Sequence, residues 1–270
     1  MPPAPPIRYR PVLEQTNEVI AALAAHAQEM IGDAVRRLGG LPEPAGSARG
    51  PEEAPLYVFD SAWAMQDHLS RAVGQGAGAG ASGVFYRSPD TGPGVALYTR
   101  EQPVLDAMTT IQHECFHHAA HRVFGGELPR WIDEGLAQTF QDAFWSAGRR
   151  AEGAVNPDRL ERLRDPGYRR LGAAELLQTP DEAWFESPAQ SRIEVSRLYE
   201  NAWLLVFALV NGPDPDLRRA FATYLGALRL PGADHARAWR LTVGRFDPGR
   251  LDDAADQTLA ACSPPRSATR

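Results

Sequence analysis

His113 and His117 flank Glu114 in the run His113-Glu114-Cys115-Phe116-His117. Glu134 follows seventeen residues after His117, inside Trp131-Ile132-Asp133-Glu134-Gly135-Leu136-Ala137. No other feature restricts the fold as much. Residues four apart share one face of a helix, so both imidazoles can reach one ion only if this segment is helical. A second helix must then carry Glu134 to the same place. Zinc takes imidazole nitrogens at about 2.0–2.1 Å, and a catalytic site pairs three protein ligands with one open position. Glu134 is the natural third ligand. Glu114, beside the ligands, is placed to take a proton from metal-bound water. The pattern predicts a helix from Val104 to Phe124, with Leu105, Met108, Ile111 and Cys115 on its apolar side. Gly125-Gly126 supplies its stop signal.

The remaining histidines do not complete this set. His121 shares the ligand face, but it lies eight residues from His113, about 12 Å along a helix. His118 should point off that face, to the surface or to another helix. His26, His68 and His235 are scattered and read as structural.

The rest of the chain alternates short strands and helices, which predicts an α+β fold. Leu13 to Leu38 has helical apolar spacing, and residues 39–55 are rich in Gly and Pro. Leu56 to Phe59 reads as a strand, followed by a helix capped by Asp60 or Ser61. Gly74 to Gly83 is a Gly/Ala-rich loop without the lysine of a phosphate loop. Val84 to Tyr86 and Val95 to Thr99 read as strands around a turn. Beyond residue 150 the pattern is helical, strongest from Arg192 to Asn211, with further helices at Leu217–Leu228 and Ala233–Val243. The expected organisation is an N-terminal helix and linker (1–55), a catalytic lobe (56–150), a helical lobe (151–255) and a disordered tail (256–270).

A net charge of −6 gives no support to nucleic-acid or anionic-membrane binding. No apolar run reaches spanning length, and Ala202 to Val210 is too short. Two cysteines make no disulfide framework. The opening Met1-Pro2-Pro3-Ala4-Pro5-Pro6 lacks the regions of a signal peptide, so a cytoplasmic location is expected.

The two motif segments resemble those of the gluzincin metallopeptidases, the clan of thermolysin and the alanyl aminopeptidases. Trp131, three residues before Glu134, and Gly135-Leu136-Ala137 after it are closest to the aminopeptidase-like branch. The wider stretch from Leu56 to Trp145 resembles bacterial peptidase MA-like domains. The resemblance implies a zincin-like lobe, Zn2+ on His113, His117 and Glu134, and Glu114 as general base. It also implies an oxyanion donor from the second lobe, for which Tyr199 is the choice and Tyr168, Tyr224 and His235 are reserves. Two departures matter. The glutamate that binds a free amine in the aminopeptidases has no counterpart in Gly94 to Thr99. Thermolysin's aspartate four residues past the third ligand is here Gln138, which joins Asp133 as a candidate to orient the ligands.

The expected function is therefore a zinc peptidase, an endopeptidase acting on a protein or peptide. Val95, Ala96, Leu97 and Tyr98 are expected to pair with the extended substrate as an added strand. Two other functions fit the same residues: a silent zincin-fold binding protein, or a zinc hydrolase of a non-peptide amide or ester. The sequence leaves the oligomeric state open.

Overall fold

The computed structural model describes residues 8–12, 18–38, 53–74, 78, 80–99, 103–125, 128–142, 155–185, 191–230 and 232–262. Most of the expected linker, and residues 263–270 of the expected tail, lie outside them. The architecture is α+β, and the chain divides into two compact units, Met1–Gly126 and Glu127–Arg270.

The first unit contains β1 (Arg8–Val12), α1 (Glu18–Arg37), β2 (Glu53–Phe59), α2 (Ala62–Val73), β3 (Gly83–Ser88), β4 (Gly92–Tyr98) and α3 (Val104–Phe124). The sheet order is β1-β2-β4-β3. β1 and β4 both run parallel to β2, and the β3–β4 hairpin closes the far side antiparallel. Ser61 caps α2 by accepting from the Ala64 N–H, as its position predicts. Met65 and Leu69 of α2 pack on Tyr86 and Ala96 of the sheet. α3 packs against β3, β4 and α1. The N-terminal helix is thus part of this unit's core rather than an appendage, with Leu23, Ala27, Met30, Ile31 and Ala34 buried along one stripe. α3 has the predicted limits, and Gly125 ends it in the left-handed conformation at φ 67°, which a residue with a side chain would adopt only with strain.

One correction concerns the sheet. β4 was expected to offer its rim to a substrate, but it lies between β2 and β4's hairpin partner β3. Val95, Ala96, Leu97 and Tyr98 pair with Leu56, Tyr57, Val58 and Phe59 on one side, and Val95, Ala96 and Leu97 with Phe85, Val84 and Gly83 on the other. Both hydrogen-bonding rims of β4 are occupied, so none of the four can receive an added strand. Among the described residues, the edge strand on that side is β3.

The second unit is helical: α4 (Arg130–Asp142), α5 (Pro157–Arg164), α6 (Ala173–Leu177), α7 (Arg192–Asn211), α8 (Pro215–Leu228), α9 (His235–Leu241) and α10 (Pro248–Ala261), with short 3-10 turns at Asp181–Trp184 and Val243–Arg245. α7 begins with a capping box formed by Ser191 and Glu194, and every residue from Asn201 to Leu209 is buried. α4, α8 and α10 all pack on it. The tail expected from Asp256 is a second correction, because α10 continues through Ala261. Leu251, Ala254, Ala255 and Leu259 recur at helical spacing, and Ala255 and Leu259 join Leu160, Leu163, Trp203 and Phe207 in one cluster. Among the described residues no helix is long and apolar enough to cross a membrane.

A buried ion pair ties α5 to α4. Arg159 donates to Asp142 and to the Gln138 amide oxygen, and its guanidinium lies 4.9 Å over the Trp203 ring. Arg159→Ala removes this guanidinium from a carboxylate that is 1 % exposed. Loss of one member of such a pair costs about 3–5 kcal/mol. Urea unfolding should show a loss of that size, and a change below about 1 kcal/mol would refute the pair's structural role.

Candidate metal centre

α3 carries the two histidines on adjacent turns. Their Nε2 atoms face each other at 3.0 Å, with the ring planes 79° apart. His117 is buried and His113 half-buried. Glu134, 3 % exposed, joins them, and the three ligand atoms all lie within 4.8 Å of one another. Among the described residues this is the one such group of His, Cys, Asp or Glu, and it could hold a metal ion. Neither Asp133 nor His121 belongs to it.

The donor set suits zinc. Two imidazole nitrogens and one carboxylate are a recurrent combination of catalytic sites. Nitrogens bound to a tetrahedral ion at about 2.0–2.1 Å are roughly 3.3 Å apart, close to the spacing of the two Nε2 atoms. A buried carboxylate beside two convergent imidazole nitrogens also forms an environment that a divalent cation neutralises.

Glu114 stands outside the ligand group. It is buried, and its Oε2 accepts from the backbone N–H of Phe85 at 2.6 Å. That bond fixes which way β3 presents its backbone. The Tyr98 N–H donates to the Ser82 carbonyl, so residues 82, 84 and 86 turn their peptide groups toward β4, and Phe85 turns its own outward. β3 lies close to α3 because residue 83 is glycine: a Cβ there would come within 2.4 Å of Thr110 Cγ2. His118 sits in the same contact. It is fully buried, and its ring stacks on Phe85 at 5.1 Å. It does not take the expected surface position, because it packs against β3. Burial, assisted by the charges of Arg122 and His121, pushes its pKa down to about 3 and keeps it neutral.

α4 positions Glu134 through its neighbours. Gly135 lies against α7, where a Cβ would meet Val206 Cγ2 at 2.5 Å and the Ala202 carbonyl at 2.6 Å. Trp131 is buried edge-on to Trp239, whose ring contacts Tyr224. Gln138 was expected to orient a ligand through its amide oxygen, but that oxygen accepts from Arg159. Asp133 is half-buried on the same turn as Glu134. Arg130, one turn before Glu134, places its Nη1 3.6 Å from the Glu134 Oε1.

Tyr199 lies half-buried on α7, its ring edge-on to Trp184 at 5.8 Å. Of the reserves, Tyr224 is buried against Phe221 and Trp239, and Tyr168 bonds Asn201. Three residues with a part in the site were missed in the sequence. Phe85 acts through its backbone, which no side-chain motif reports. Gly135 belongs to a motif, but nothing in the sequence marks it as a packing contact. Arg130 carried a readable signal, since it stands one helical turn before the third ligand.

Residues 107–227 match a family model described as "Protein of unknown function (DUF1570)". The matched stretch includes His113, Glu114, His117, Arg130, Glu134 and Tyr199. No curated protein matches the chain.

The Gly135 contact is testable. Gly135→Ala forces α4 off α7, and overpacking of this kind costs about 1–3 kcal/mol. It should lower both the melting temperature and the affinity for zinc. Gly226→Ala, on α8 with open space around the new methyl, should be neutral or stabilising. Equal behaviour of the two variants in thermal melts and zinc titrations would dismiss the close contact.

Proposed function

We propose that the chain is a zinc-dependent metallopeptidase of the gluzincin type, acting as an endopeptidase. The observation that carries this reading is Glu114. A buried carboxylate adjoins a ligand group that fits zinc, is not part of it, and is held by a strand with an open rim.

His113, His117 and Glu134 would hold the ion. When bound, such an ion lowers the pKa of a coordinated water and polarises a carbonyl. The chain's own groups do the rest. The Phe85 N–H fixes Glu114 Oε2, which leaves Oε1 as the atom that accepts the water proton. Glu114 then returns this proton to the leaving amine. β3 offers the outward backbone groups that Glu114 does not engage to an extended peptide, in place of the rim expected on β4. Tyr199 is proposed to donate its hydroxyl to the developing oxyanion. The gluzincin resemblance supports the same assignments, and no acidic residue in Gly92–Tyr98 is available to bind a free N-terminal amine.

A peptide-library digest with the zinc-loaded protein tests the activity, and cleavage at internal bonds is expected. About one zinc per chain should copurify, and His113→Ala or His117→Ala should abolish stoichiometric binding. Glu114→Gln should keep zinc and lose roughly 10²–10⁴ or more in turnover. A library left intact by a fully loaded protein rejects the peptidase.

Tyr199→Phe keeps the ring against Trp184 and removes only the hydroxyl. Loss of one oxyanion donor costs roughly 10²–10³ in kcat. KM, zinc content and melting temperature should stay near wild type. Full turnover in this variant leaves Tyr199 a packing residue.

A further inference from the structure

Arg130 has a guanidinium for which the fold itself has little use. It is the first residue of α4, where the partial positive charge of the helix end disfavours a cation. Among the described residues its side chain makes two contacts. Nη1 stands 3.6 Å from Glu134 Oε1, beyond hydrogen-bond length, and the guanidinium lies 5.1 Å from the centre of the Phe185 ring. Neither contact satisfies its five N–H donors. The Arg130 side chain is 30 % exposed and Phe185 is half exposed, whereas the Glu134 side chain is 4 % exposed. A cation on an aromatic platform therefore borders a buried metal-ligand carboxylate and is open on its outer side.

A metal on Glu134 would take over the neutralisation of this carboxylate, which frees the guanidinium for another anion. A planar fork with several unused donors matches a carboxylate in two parallel hydrogen bonds. We propose that Arg130, backed by Phe185, is a specificity-determining residue that binds a carboxylate of the substrate next to the scissile bond. This rests on the peptidase reading and adds a substrate class to it: peptides that carry a carboxylate near the cleaved bond. That group is either the C-terminal carboxylate or an acidic side chain, and both offer the same two oxygens.

The test is binding to the zinc-loaded Glu114→Gln protein, which leaves peptides intact. The probes are N-acetylated alanine pentapeptides. One pair differs only in a free or an amidated C-terminus. A second series places one Glu, or one Gln, at each position of the amidated peptide. At least one carboxylate peptide should bind about tenfold more tightly than its uncharged counterpart, the size expected for a hydrogen-bonded ionic contact. The free-acid pair and the Glu/Gln series report which source of the carboxylate is read.

Adding Arg130→Gln should remove the preference while zinc content and affinity for the neutral peptide hold. This separates Arg130 from direct carboxylate binding to the metal, which would survive the change. Arg130→Lys keeps the charge and loses the fork, so it should retain only part of the preference; it decides the matter if the Gln variant does not fold or loses zinc. No preference for any carboxylate, or one unchanged in these variants, overturns the proposal. The preceding reading fails separately. If the protein with Glu114 intact cleaves nothing, yet the Arg130-dependent preference remains, the peptidase is rejected and the carboxylate site stands. If peptides are cleaved without regard to carboxylates, the peptidase stands and the role of Arg130 falls.

Discussion

Glu114 and Glu134 are both taken out of water, and the local architecture around the candidate site follows from how each is compensated. An ionised carboxylate without a partner in an apolar setting is costly enough to protonate or to unfold its surroundings. The two solutions differ. Glu114 receives a backbone N–H from Phe85, a neutral donor that holds one oxygen. Glu134 has Arg130 beside it and two imidazole nitrogens close by, an environment built for positive charge. Two glutamates of similar burial thus sit in different surroundings. Their partners distinguish them, not the residue type.

The Phe85 contact also ties chemistry to the sheet. α3, β3 and β4 are packed so that one peptide unit of β3 points away from its ladder and onto α3. Gly83 allows the approach, and the Ser82 hydroxyl reaches Thr110 of the helix at 3.1 Å. His118, neutral and stacked on the Phe85 ring, fills the space beneath. Burial first, and then the charges of Arg122 and His121, disfavour a charged imidazole there. Glu114 is therefore held by the edge strand of the sheet.

Much of this was legible in the sequence, and the failures have specific causes. α3 and α7 have their predicted limits because periodicity, caps and glycine stops agree over some twenty residues each. The grouping of His113, His117 and Glu134 was legible: four-residue spacing puts the two histidines on one helix face, and a second motif carries the carboxylate on the next helix. β1 was missed: Arg8–Val12 is short, contains Pro11 and lies at the sheet edge, where proline is tolerated. α10 was missed because Asp252, Asp253, Asp256 and Gln257 dominate its composition. Its small apolar stripe shows only when Leu251, Ala254, Ala255 and Leu259 are placed on a helix. The choice between β3 and β4 as the open rim could not be read at all. Both are short apolar strands, and their order depends on β2 pairing with the later one, a long-range fact.

The fate of Gln138 shows why a motif alone understates how a ligand is fixed. By analogy its amide should orient a histidine, yet it is committed to Arg159, which also grips Asp142 and stacks on Trp203. α4 is thus held at three levels: Trp131 on Trp239 near its start, Gly135 on α7 in its middle, and the Arg159 pair at its end. Glu134 sits between the first two. A helix held along its length needs no dedicated hydrogen bond to keep one side chain in place, because the backbone that carries the carboxylate cannot turn or slide without breaking a buried contact. The packing that holds Glu134 has no fixed sequence spacing by which to be found.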